Sequence, residues 1–286
     1  MSPRGLALDN DGNVLVADET YRVLRFSPDG TPLDTWGPWI LDNFEPLQPN
    51  ELAVTADGAI LIADPFSQVI VRFVPGTGIS GQIGTAGGGF GAADLAYPEG
   101  VAVASNGEIL ASNTQSALSQ IKRYKANMTP DSQWGARGSG ATNLDNPRAL
   151  AIDSEDHLYV VDSRNHRIQK FTLDGTHLGS WGSDGSNPGQ FKDPRGIAVD
   201  ADSRAYVTDS VQHRVQKFSP DGTFLGYIGG PGNNDGEFSA PWGIAVAADG
   251  TVYICDAGHT RIQAFVPVEP ESVARNASHQ RRRKSR

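Results

Sequence analysis

A single cysteine, Cys255, in 286 residues excludes an internal disulfide, so burial alone has to hold the fold. No apolar run is long enough to cross a bilayer, and a composition of 38% hydrophobic and 20% charged residues is that of a soluble protein. Nothing at the start reads as a signal peptide, because Met1 and Ser2 run directly into a repeated unit. The chain reads as one that stays where it is made or as a piece of a longer protein, and no compartment is assigned. Basic residues are scarce outside the C-terminus. The segment 267–286 holds six of the 24 Lys/Arg and two of the 33 Asp/Glu, which leaves 18 against 31, a net charge of -13, for residues 1–266. A body this acidic repels phosphate backbones and argues against nucleic acid as a partner. Helical spacing of apolar residues is not sustained anywhere.

Glycine (33) and proline (18) are plentiful and favour many turns. They punctuate a repeat. The stretch "SRNHRIQKFTLDG" at 163–175 returns as "SVQHRVQKFSPDG" at 210–222. Six units open on a proline and an apolar strand: "PRGLALD" at 3, "PNELAVT" at 49, "PEGVAVA" at 98, "PRALAID" at 147, "PRGIAVD" at 194 and "PWGIAVA" at 241. A tight turn leads to a second strand such as "HLYVVD", then a third such as "RIQKF", and a fourth ends in Trp-Gly or Ile-Gly. Four short strands joined by turns make one antiparallel sheet. Strands such as "LYVVD" are apolar on both faces, as a sheet sandwiched between equivalent neighbours must be. Six such sheets predict an all-β, six-bladed β-propeller over residues 1–266, each first strand lining a central channel, with a basic disordered tail over 267–286. The sixth unit runs from "RIQAF" into "VPVEPESVARN", so its outer strand is expected to be missing, or supplied weakly by 267–274.

The pattern P-x-G-[IVL]-A-[VL], followed by Val/Ile-x-Val-x-Asp and Asn-His-Arg-Ile, resembles the NHL repeat family over residues 3–266. The second copy departs with Glu51 where a small residue is usual, and the third with Asn113 for Asp and the insertion "TQSALSQ". The resemblance implies a six-bladed propeller, in agreement with the count of units.

Two sets of residues could carry chemistry. Asp18, Asp64, Asp162, Asp209 and Asp256 end the second strands, and the loops after three of them carry His166-Arg167, His213-Arg214 and Arg261. Metal binding or acid–base work would need these histidines to converge, whereas they sit on different blades away from the axis. They are therefore read as structural, the Asp capping a loop while His and Arg tie the second strand to the third. The position after each proline differs from blade to blade: Arg4, Asn50, Glu99, Arg148, Arg195 and Trp242. Here a ligand-shaped ring would lie at the channel mouth, three guanidiniums holding a carboxylate or phosphate beside an indole wall. A purely structural rim, with Glu99 paired to Arg148, is the alternative.

NHL-like propellers include the peptidyl-α-hydroxyglycine amidating lyase, whose zinc is held by histidines, two of them right after this proline. The resemblance thus implies a catalytic test that this chain does not meet, since no copy has histidine there. Calcium held by backbone carbonyls, or by Asn50 and Glu99, fits the residue types, yet no ligand pattern asks for it and no cofactor is expected. The run "GGGFG" at 87–91 lacks the context of a phosphate loop and reads as a connector. A non-enzymatic binding module for a protein or small anionic ligand is the expected function. Recognition is expected on the long loops around 37–49, 84–98 and 182–194. A lyase or lactonase using the same mouth is the alternative, and RNA binding, as in some animal NHL proteins, ranks third.

Overall fold

The computed structural model describes residues 2–39, 47–85, 94–114 and 118–267. The tail beyond 267, the connector 87–91 and parts of the two expected recognition loops at 37–49 and 84–98 lie outside the described residues.

Six antiparallel sheets follow one another along the chain. Blade 1 holds β1 (Pro3–Leu8), β2 (Val14–Asp18), β3 (Arg22–Phe26) and β4 (Pro32–Trp36). In blade 2 come β5 (Glu51–Val54), β6 (Ile60–Asp64), β7 (Val69–Val74) and β8 (Gly78–Ile83). Blade 3 has β9 (Val101–Val103), β10 (Ile109–Asn113), β11 (Gln120–Tyr124) and β12 (Pro130–Trp134). Blade 4 follows with β13 (Pro147–Ile152), β14 (His157–Asp162), β15 (Arg167–Thr172) and β16 (His177–Trp181). Blade 5 is β17 (Pro194–Val199), β18 (Ala205–Asp209), β19 (Arg214–Phe218) and β20 (Phe224–Ile228). Blade 6 is β21 (Pro241–Val246), β22 (Val252–Asp256) and β23 (Arg261–Phe265), three strands among the described residues. The first strands pack in a ring, β1 against β5 and, at closure, β21 against β1. The arrangement is a six-bladed β-propeller with almost no helix.

The second strands are buried along their whole length except at His157, the consequence of lying between two blades. Apolar clusters fill every seam. One between blades 4 and 5 joins Tyr159, Val161 and Ile168 to Val207 and Phe218, and one between blades 6 and 1 joins Tyr253 and Cys255 to Leu6 and Val16. Near the axis the blades approach too closely for a side chain. A methyl group on Gly5 would lie 2.2 Å from the Asn50 carbonyl oxygen, and one on Gly243 would lie 2.2 Å from that of Arg4. Glycine or alanine follows the ring residue in five blades for this reason, and Glu51 in the sixth goes with a different local register. In blades 1, 4, 5 and 6 the first strand carries a bulge, with two residues set against one on the neighbouring strand. Blade 2 pairs Glu51 with Ala63 without one.

Candidate functional site at the channel mouth

Four of the ring residues, Arg4, Arg148, Arg195 and Trp242, sit in those bulges. A bulge turns its side chain out of the ladder, and here it aims each one at the channel mouth. They are linked in one chain of contacts that runs on to Glu99 and Asn50. The guanidiniums of Arg4 and Arg195 stand 5.0 and 4.2 Å from the centre of the Trp242 ring. Arg195 donates through Nε to Asp193 at 2.7 Å, and the other oxygen of Asp193 accepts from Arg148 Nη1, also at 2.7 Å. Arg148 Nε faces Glu99 at 3.3 Å, and Asn50 Nδ2 donates to the Glu99 carbonyl at 2.9 Å. Arg4 is held by Glu19 at 2.8 Å. The Glu99–Arg148 pair expected of a structural rim is thus present, inside a larger network.

The electrostatics are balanced. Arg4, Arg148 and Arg195 face Glu19, Asp193 and Glu99, so an arriving anion has to exchange with a carboxylate already in place. Burial raises the Glu99 pKa, against the pull of Arg148 and Arg195. Next to Asn50, at the start of β5, lies the half-buried Glu51. Burial, with a smaller push from Glu99, carries its carboxyl from 4.5 up to about 8. Beside Arg4 a hollow of about 210 Å³ opens between blades 1 and 2, lined by Glu19, Tyr21, Gln48 and Pro49.

Reading only the residue after each proline missed three participants. Asp193 sits just before its proline and bridges two arginines. Glu19 follows a buried Asp by one position. Glu51 was visible as a departure from the small-residue rule, which was the available signal for it.

The second set lies away from this circle. All five aspartates are fully buried. Asp64 accepts backbone N–H groups from Gln48, Phe66 and Ser67, and Asp18 those of Ser2 and Thr20. Asp209 likewise accepts those of Lys192 and Asp193. Arg167 and Arg261 donate to Asp162 and Asp256 at 2.8 Å and reach on to carbonyls of the loop that leads into their blade, as Arg214 does to Asn187 and Gln190. The histidines behave otherwise than expected. His166 takes the left-handed conformation, φ 52°, closing a short 3-10 turn, and its ring Nδ1 has no hydrogen-bond partner among the described residues. His213 accepts the Ala240 N–H at 3.0 Å, so it ties blade 5 to the entry of blade 6 rather than strand to strand. Among the described residues no group of three or more His, Cys, Asp or Glu is placed to hold a metal ion.

The family model described as NHL repeat matches residues 144–171, 191–218 and 238–265, the first three strands of blades 4, 5 and 6 with the residues just before each. Segments in three blades of this propeller thus match the NHL repeat. No curated protein matches this chain in sequence. Solved structures do match it in fold. Virginiamycin B lyase from Staphylococcus aureus is 16% identical, with a TM-score of 0.63 over 94% of this chain and 85% of its own. A gluconolactonase from Xanthomonas campestris is 20% identical, with a TM-score of 0.68 over 93% and 86%. An auxiliary nutrient binding protein from Bacteroides thetaiotaomicron is 12% identical, with a TM-score of 0.68 over 92% and 68%. At these identities the likeness is one of fold. Among the described residues no helix is long and apolar enough to cross a membrane.

Proposed function

We propose that this NHL propeller is a non-enzymatic binding module whose ligand, a small anionic molecule or a carboxylate-bearing protein segment, sits at the channel mouth. One observation carries the reading: ring residues of four kinds from the six blades are linked by contacts from Arg4 round to Asn50, with Trp242 flanked by two guanidiniums. A ligand carboxylate would take the place of Asp193 or Glu99 on an arginine fork while its apolar part lies on the indole. Because the ring is neutral overall, shape and stacking contribute more to selectivity than bulk charge does. A thermal-shift screen of small carboxylates and phosphates tests the proposal. A true ligand raises the melting temperature of the native fold, and Arg195→Ala abolishes the rise. Ligands that stabilise the variant as well would place binding elsewhere.

A second reading, an enzyme acting at the same mouth, is favoured by Glu51. A carboxyl that keeps its proton near neutral pH is what a general acid requires. Metal analysis separates the two: stoichiometric, tightly held zinc supports the enzyme, and a metal-free protein that binds ligand without turning it over supports the module.

A further inference from the structure

The seam between blades 6 and 1 contains a groove of about 330 Å³, lined by Val14, Phe26, Pro28, Gly30, Tyr253 and Ile262 among others. The other five seams show what belongs there. In each, the last residue of an outer strand packs near the aromatic residue of the next blade's third strand. Trp36 meets Phe73 at 5.5 Å, Trp134 meets Phe171 at 6.4 Å and Trp181 meets Phe218 at 6.0 Å. Ile83 shares a cluster with Tyr124, and Ile228 one with Phe265. Blade 1 offers the equivalent Phe26, only half-buried, whereas Phe73, Phe171 and Phe218 are buried. Trp134 and Trp181 also lie directly over Gly175 and Gly222 in the turns of the following blades, while the equivalent Gly30 has open space around it. Within blade 4, Trp181 meets the Tyr159 ring edge-on at 6.0 Å, and Tyr253 is its counterpart in blade 6.

Two further differences concern this seam, one at Ala264 in the groove and one at Ala247 in the apolar cluster around Tyr253. Blades 1 to 5 carry a long basic side chain at one third-strand position, namely Arg25, Arg72, Arg123, Lys170 and Lys217, and blade 6 carries Ala264. Lys170 and Lys217 lie 4.7 Å over Tyr159 and Tyr206, a cover that Tyr253 does not receive from Ala264. The aspartates that hydrogen-bond those two tyrosines, Asp153 and Asp200, correspond to Ala247. Acid and base have been removed together, which leaves an apolar socket beside the edge strand β23.

We propose that this seam is a docking site for an extended segment of a separate polypeptide. The segment pairs antiparallel with β23, places a tryptophan opposite Ile262 as Trp181 stands opposite Ile168, and continues with glycine. The chain's own continuation does not meet that chemistry. In the register of blade 4, Arg275 would fall at the tryptophan position, and Glu269 at the turn position where Gly175 has φ +88°. A second copy would offer its own β23, "RIQAF", without a tryptophan, while its outer-strand tryptophans are already packed in its own seams.

The probe is a labelled peptide with the sequence of residues 176–183, "THLGSWGS", titrated into the full chain by fluorescence anisotropy. Saturable binding is expected, at least about tenfold weaker for the peptide carrying Trp181→Ala. Ala264→Trp in the protein, which fills the socket from an exposed position, is expected to block binding. Hydrogen exchange of amides 261–265 is expected to slow when the peptide is added. Equal affinity of the two peptides, no saturable binding, or β23 amides already protected in the free chain would overturn the proposal.

Discussion

Glu51 concentrates several constraints in one side chain. Its position takes glycine or alanine elsewhere in the ring, and its carboxyl is raised to about 8 by burial and by Glu99. A carboxyl raised on folding contributes stability that is fully present below its unfolded value of 4.5 and lost as pH climbs through about 8. Glu51→Gln is therefore expected to have little effect on melting temperature at pH 4.5 and to raise it relative to wild type at pH 8.5, on the order of 1–4 kcal/mol by linkage. Thermal melts of both proteins across that range check the sign, and parallel curves would mean that the carboxyl is ordinarily hydrated. Gly243 lies under a different constraint, because a methyl group there meets the Arg4 carbonyl. Gly243→Ala is expected to cost about 1–3 kcal/mol in denaturant melts by forcing blades 6 and 1 apart. Cys255 is fully buried, and burial pushes its thiol well above the ordinary value. A thiol reagent is expected to label it only as fast as the protein opens.

At the scale of strands, the outer-strand tryptophans act as keystones between blades. Trp181 joins Tyr159 of its own blade to Phe218 of the next. Trp181→Ala is expected to cost about 3–5 kcal/mol, read as a lowered denaturant midpoint. The strands themselves were legible in the sequence, because proline, the apolar run, the turn and the closing Trp-Gly recur at near-constant spacing. Among the described residues the sixth blade has the three strands that its sequence pattern marks. The bulges were not legible: "PRGIAV" reads as an ordinary strand apolar on both faces, and only its pairing with β18 shows two residues set against one. The tie through histidine was misjudged for a related reason. His166 closes its turn in the left-handed conformation and its Nδ1 has no hydrogen-bond partner among the described residues, which residue identity alone does not reveal.

For the whole molecule, six similar units close into a ring whose seams are alike except at two places. One is the 6–1 seam, which lacks an outer strand among the described residues. The other is the channel mouth, where an otherwise repeated position becomes irregular. The sequence located that irregularity, yet it did not show that Asp193 and Glu19 neutralise the arginines, since both are distant in sequence from some of the residues they hold. A binding module centred on this circle has to lose its ligand when the circle is broken and keep it when a comparable ion pair elsewhere is broken. Isothermal titration of the most stabilising screened anion into wild type, Trp242→Ala and Arg72→Ala tests this directly, Arg72 being an arginine of blade 2 paired with Asp57. Wild type and Arg72→Ala are expected to bind alike, with Trp242→Ala at least about tenfold weaker through loss of the stacking wall. Equal affinity for Trp242→Ala would contradict a ligand site at the channel mouth.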